Sequence, residues 1–406
     1  VLVRSGGMIN RVITFDDQFL ADPYASWARL RRRGPVHRAV TPDGSPVWLV
    51  VGDEHVRSLA ADSRLTLDRS YSSSGYTGFS LPPDLDRNLL NMDGADHRRI
   101  RRQVAAGFTP ARVAALRPEI HAVAIELTTD LRGQLQAGGT ADVITEYASP
   151  FALRVIAMIL GIPSTDLPEF RGWTDELLAP SSPSSSAHAV KEVHRYIRDL
   201  VERLHGEEEG SFLGGLVRNS DNDPERLSEA ELASAAFLLL FAGYENTIRV
   251  IGNGLIASAD HTGRVTVLRE ILTGGTSPRS AIDELLRYDP PPQLAIRRFA
   301  CEDIMIEDVT IPRGDTVMLA WASANRDPVT HFDPDRLQLN RNPNQHLTFG
   351  HGPHACLGST LARAELEIGL TTLLAEIPTL RLVDLSCPAW RLSFRNRGVT
   401  TLPIIM

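Results

Sequence analysis

From Glu54 to about Leu272 apolar residues recur at three- and four-residue intervals, the spacing that gathers them on one stripe of an α-helix. Breaks fall at Pro82-Pro83, Thr109-Pro110 and Gly161-Ile162-Pro163, where proline and glycine end helices, and at the Ser-rich stretch PSSPSSS of residues 180–186. That stretch reads as a flexible loop between two helices, FRGWTDELL and HAVKEVHRYIRDLVERL. Strand signals are confined to small regions. GPVHRAVTPDGSPVWLVV predicts a hairpin around Pro42-Asp43-Gly44, and EDIMIEDVTIPRGDTVMLAW carries further strands after the Pro290-Pro291-Pro292 stop. The last helix begins near Leu357, and the C-terminal RLSFRNRGVTTLPIIM reads as extended. No repeat is visible, so the expectation is one mainly helical domain over residues 8–406 with a smaller β-rich part. Residues 1–7 are set aside as a possible leader or added segment.

The 42 basic and 50 acidic residues give a net charge of -8, which argues against a protein that must neutralise many phosphates. A small-molecule partner is expected, with no nucleic acid. The runs Arg31-Arg32-Arg33 and Arg98-Arg99-Ile100-Arg101-Arg102 read first as solvated helix faces. No stretch reaches the roughly 18 consecutive apolar residues of a membrane span, and the N-terminus lacks a signal-peptide core, so no membrane partner is expected. Three cysteines, Cys301, Cys356 and Cys387, show no paired spacing, which suits a reducing cytoplasm and leaves a working thiolate possible.

Cys356 lies in FGHGPHACLG, just before the helical STLARAELEIGLTTLLAEI. At a helix N-terminus the unpaired N–H groups favour a thiolate, and a thiolate is what a soft, electron-donating iron ligand must be. Gly350, Gly352 and Gly358 allow unusual dihedrals and close approach to a flat cofactor, and Phe349 can shield the sulfur. Three alternatives compete on these residues. A lone cysteine is more often inert core; His351, His354 and Cys356 evoke zinc but lack a fourth ligand; and His354 is poorly placed as a base for Cys356, because residues two apart before a helix seldom face each other.

The string FGHGPHACLG, followed by Leu361-Ala362-Arg363, resembles the heme-binding loop of the cytochrome P450 family. The resemblance runs from PYASWARLRRRGPVHR to RGVTTLPI. It implies heme b, with Cys356 as the proximal iron ligand and His354 at a heme propionate. Glu284 and Arg287, three apart in AIDELLRYDPPP, share a helix face and resemble the family's structural E-x-x-R. His97 and Arg101, four apart, resemble the family's propionate-binding helix, with Gly94-Ala95 where two prolines are usual. Of the adjacent Arg297 and Arg298, the position suits Arg298 as another propionate donor.

SAAFLLLFAGYENTIRVIGNGLIA resembles the family's distal helix over the oxygen site. Ala242 and Gly243 would leave room beside the iron, and Gly243 can permit local widening of the helix. Glu245 takes the acidic position of the proton-delivery pair. Asn246 stands at the usual alcohol position, with Thr247 next, which puts a simple acid–alcohol relay in doubt.

The resemblance implies a monooxygenase that uses O2, with electrons from a ferredoxin and ferredoxin reductase or a flavin-type reductase. The resemblance places Arg102 on the heme-proximal side as a docking charge. Substrate contact would fall to Tyr76 and Phe79 within residues 71–90, the Ser-rich loop, Leu294, Ile296 and Thr400. This lining suits a medium or large apolar metabolite bearing oxygens, such as a polyketide or macrolide, ahead of a steroid or terpenoid. Two rivals stay open: a peroxide-driven or radical-coupling catalyst, and a heme protein that binds or senses without oxidising.

Overall fold

The computed structural model describes residues 12–75, 81, 83–178, 182–205, 211–220, 225–275 and 278–406. Backbone contacts divide the chain into two compact units. The first comprises Val1–Gly78, Arg249–Cys356 and Pro378–Met406, and the second Phe79–Ile248 and Leu357–Ile377.

The first unit carries a six-stranded sheet in the order Ile13–Thr14, Val36–Val40, Pro46–Val50, Thr316–Leu319, Arg298–Ala300, Leu65–Thr66. Its central hairpin is the one read from the sequence. Val36 pairs with Val50 and Val40 with Pro46, and the turn closes through the Gly44 N–H to Thr41 O at 2.9 Å. Gly44 has φ +84°, which a residue with a Cβ rarely adopts. Val47, Leu49, Met318 and Ala320 join Phe15, Phe19 and Trp27 in one apolar cluster, while Trp48, Val50, Val317 and Leu319 belong to a second. The sheet is therefore buried on both faces. The later β segment yields Ile304–Ile306, Val309–Ile311 and Thr316–Leu319; the first two pair antiparallel and the third enters the large sheet.

The second unit is largely helical. Thr109 accepts from the Arg112 N–H with Pro110 in the first turn, so the Thr-Pro break starts the long helix Pro110–Gln136. Its flank is tied to Ser359–Glu376 by Arg117–Glu367 and Arg132–Glu376, both at 2.7 Å. Gly161 closes Ser149–Leu160 in the left-handed conformation, φ +74°. The Ser-rich stretch departs from its expectation. Pro183 is the first residue of the helix Pro183–Leu204, capped by a reciprocal Ser182–Ser185 box, so residues 183–186 are helix rather than loop. Pro180 and Ser181 lie outside the described residues.

Candidate active site

The first unit holds the cysteine loop. Gly350 and Gly352 both sit at φ +73°, and the Cys356 N–H donates to Phe349 O at 2.7 Å, drawing the loop into a tight turn. A Cβ on Gly352 would stand 2.9 Å from Ala60 O. Gly358 differs from the expectation: its φ is -81°, an ordinary value, and it serves as the N-cap of Ser359–Glu376. The Cys356 side chain is exposed, His354 is half-buried in the single turn Gly352–His354, and the Phe349 ring lies 5.6 Å from that of His346.

Glu284 and Arg287 anchor this loop from the helix Pro278–Tyr288. Both are fully buried and joined by two hydrogen bonds, at 2.7 and 2.9 Å. Arg287 Nη1 donates to Asn325 O at 2.8 Å, Asn325 Oδ1 accepts from Leu347 N at 2.6 Å, and Asn325 Nδ2 donates to Thr348 Oγ1 at 2.9 Å. A chain of buried bonds thus runs from the ion pair to the residue preceding Phe349. Sequence reasoning missed Arg341, which donates to Glu284 Oε2 at 3.0 Å, and Asn344, which donates to the same oxygen at 3.1 Å.

Arg298 is buried on the strand Arg298–Ala300, and its Nη1 donates to Ala60 O at 2.9 Å. The Ala60 carbonyl that accepts from the expected propionate donor is also the atom that a side chain at Gly352 would crowd. Leu294 is drawn into the cluster with Leu49 and Met318 and packs as core, while Ile296 remains half-buried. Thr400 is exposed, with its hydroxyl on Ala389 O at 3.1 Å. Tyr76 and Phe79 lie outside the described residues.

The second unit holds the other expected residues. His97 is buried and Arg101 half-buried one helical turn later on Gly94–Ala105. Gly94 opens that helix at φ +74°, a value that proline, locked near -65°, cannot take. Arg102, expected to be a docking charge, is paired with Glu225, and Arg99 with Glu231. The basic run is thus partly neutralised within its own unit.

The long helix Glu229–Ser258 is continuous α-helix through residues 242–247, so Gly243 does not widen it. A Cβ at Gly243 would meet Ile156 Cδ1 at 3.0 Å, and the glycine permits close packing on Ser149–Leu160. Ala242 is exposed in the middle of this mostly buried helix, and Glu245 is buried. Asn246 Nδ2 donates to Ala242 O at 3.2 Å, and its Oδ1 is buried with no hydrogen-bond partner among the described residues. An acceptor so placed has capacity for a water or a substrate hydroxyl. Thr247 donates its hydroxyl to Glu365 Oε2 at 3.0 Å. Glu365, on Ser359–Glu376, is a site residue that sequence reasoning missed. Burial pushes its carboxyl up to about 8, with only the Thr247 hydrogen bond opposing, so it holds a proton at neutral pH.

These residues fit a thiolate-held heme. In the first unit the exposed Cys356 stands in a glycine-turned loop before a helix; in the second, Ala242 is exposed and, among the described residues, the buried Asn246 Oδ1 has no hydrogen-bond partner. Among the described residues no His, Cys, Asp and Glu cluster of three is placed to hold a metal ion by itself.

The cytochrome P450 family model matches residues 279–377. The chain is 38% identical to the cytochrome P450 monooxygenase PikC of Streptomyces venezuelae, over 95% of this chain and 91% of the relative. It is 36% identical to the vitamin D(3) 25-hydroxylase of Pseudonocardia autotrophica, over 97% and 96%. Among solved structures, the bacillaene polyketide synthase cytochrome P450 PksS of Bacillus subtilis 168 superposes with a TM-score of 0.87 at 30% identity, covering 96% of this chain and 98% of that one. Both the helical fold with small sheets and the sequence therefore place the chain, along nearly its whole length, in the heme b-binding cytochrome P450 family of monooxygenases.

Proposed function

We propose that this chain inserts one oxygen atom from O2 into a C–H or C=C bond of a medium or large hydrophobic metabolite, a polyketide or macrolide before a steroid. The observation that carries this reading is the exposed Cys356 in its glycine-turned loop before a helix, a setting that suits a thiolate ligand for the iron. The substrate class draws support from the relatives, whose names include a polyketide synthase P450 and a vitamin D(3) hydroxylase. In this reading residues 8–406 act as one P450 domain.

Bound heme supplies reductive activation of O2, and the chain's own groups govern binding and protons. His97, Arg101, Arg298 and His354 are the residues that would hold the heme carboxylates, through charge-assisted hydrogen bonds. Phe349 would limit water at the Cys356 sulfur, and the exposed Ala242 would leave space for a small ligand. Asn246 holds a water or substrate hydroxyl on its Oδ1 but does not pass a proton through itself. Thr247 and the protonated Glu365 form an acid–alcohol pair at 3.0 Å, and with Glu245 they supply the proton-handling groups that Asn246 lacks. That pair favours an O2-dependent reaction over a peroxide-driven one. A ferredoxin with its reductase, or a flavin-type reductase, is the electron donor. In this reading the chain works in the cytoplasm.

A spectroscopic screen for compounds that shift the heme from low to high spin tests the proposal. Hits should be oxygen-bearing apolar skeletons, and with redox partners and isotopically labelled O2 they should yield product carrying one labelled oxygen atom. Turnover supported by peroxide, with no label from O2, would overturn it.

A further inference from the structure

Tyr244 lies between Gly243 and Glu245, in the turn that carries the candidate oxygen-site residues. The side chain is buried, and a buried phenol needs a partner to offset its lost water. Here the hydroxyl has two. It donates to Asp175 Oδ1 at 2.7 Å and shares a 2.5 Å bond with Ser149 Oγ. Ser149 opens the helix Ser149–Leu160, and Asp175 belongs to Leu167–Leu178, so one oxygen joins three helices at residues of the second unit. Asp175 is itself held by Arg171, whose Nε lies 3.4 Å from Oδ2 and leaves Oδ1 to the phenol. Successive residues of a helix turn by about 100°, so Tyr244 and Asn246 diverge while Thr247 comes round to the Tyr244 side. Fixing the phenol thus fixes the direction of both. Gly243 against Ile156 sets the depth of the same turn.

We infer that Tyr244 is a positioning residue, whose hydroxyl, shared by Ser149 and Asp175, sets the rotation of residues 242–247 and so aligns Asn246 and Thr247 for proton delivery. The inference rests on the proton-handling role proposed above. Phenylalanine would fill the same volume without setting the rotation.

The test compares holoenzyme of Tyr244→Phe, Asp175→Ala and Asp175→Asn by amide hydrogen exchange across residues 240–250 and by product formed per NAD(P)H consumed. Tyr244→Phe and Asp175→Ala should speed exchange in that stretch roughly tenfold, the equivalent of one lost hydrogen bond to a charged group. Both should divert reducing equivalents severalfold toward peroxide with little change in substrate affinity. Asp175→Asn keeps the acceptor oxygen and should behave as wild type. Unaltered exchange and coupling in Tyr244→Phe, even with a lower melting temperature, would reduce the hydroxyl to a structural bond and overturn the inference. So would an Asp175→Asn enzyme as impaired as Asp175→Ala. If the wild type itself forms no product, the failure belongs to the proposed function, and the exchange comparison still decides the positioning role.

Discussion

Replacing Glu365 by glutamine keeps the shape of the buried side chain and its bond to Thr247 but removes the ionisable group. The unfolded chain ionises this carboxyl near its ordinary 4.5, whereas burial holds it to about 8 in the folded protein. Between those values the unfolded state binds fewer protons than the folded one, so this group makes folding less favourable as pH rises. The contribution is fully present below 4.5 and is lost by about 8. At about 1.4 kcal/mol per pH unit the span is worth about 5 kcal/mol, of which about 3 kcal/mol is lost by pH 7. The assay is urea unfolding of the wild-type and Glu365→Gln holoproteins, followed by circular dichroism at intervals from about pH 5 to about pH 8.5. The difference in stability between them should move toward the variant by several kcal/mol across that range. Parallel curves would refute the reasoning, because they would mean that the folded protein ionises Glu365 at its ordinary value. The same variant should lower product per NAD(P)H if this carboxyl supplies protons.

Cys356→Ser should abolish the red-shifted carbon monoxide band of the reduced protein, read by difference spectroscopy. Arg101→Ala and His354→Ala should each weaken heme retention by about 1.5–3 kcal/mol with helix content intact, measured by transfer of heme to an acceptor protein. Glu284→Ala would leave Arg287 and Arg341 as buried charges without their shared carboxylate, and should cost about 3–5 kcal/mol in thermal unfolding. Asn246→Leu should remove the buried acceptor oxygen and raise peroxide output, while Asn246→Thr should sustain turnover; wild-type coupling in the leucine variant would remove this side chain from proton delivery.

Much of the fold was legible because local rules agreed with the tertiary outcome. The Pro42-Asp43-Gly44 hairpin formed where turn chemistry and apolar runs coincided, and Thr109-Pro110 capped a helix at the expected break. The Ser-rich stretch was misread from composition, although its Ser182-Pro183-Ser184-Ser185 order already carried a helix-start signal, a capping serine before a first-turn proline. The E-x-x-R spacing was visible, but Arg341 and Asn344 lie 57 and 60 residues beyond Glu284, and no local pattern announces such partners.

Glu365 shows most sharply where reading by sequence stops. In AELEIGL two glutamates stand two apart, and both residue types favour an exposed helix face, so periodicity alone would place either outside. The fold separates them. Glu367 meets Arg117, while Glu365 turns into the unit and, among the described residues, hydrogen-bonds Thr247. A lone buried carboxyl destabilises the protein at neutral pH, and the fold tolerates it where a protonated acid beside an alcohol is useful. Asn246 points the same way: its oxygen is buried with no hydrogen-bond partner among the described residues, one residue from that alcohol. The positions where local preference is violated therefore converge on one turn of the long helix, and that convergence, which only tertiary structure exposes, is the strongest internal reason to place the proton chemistry there.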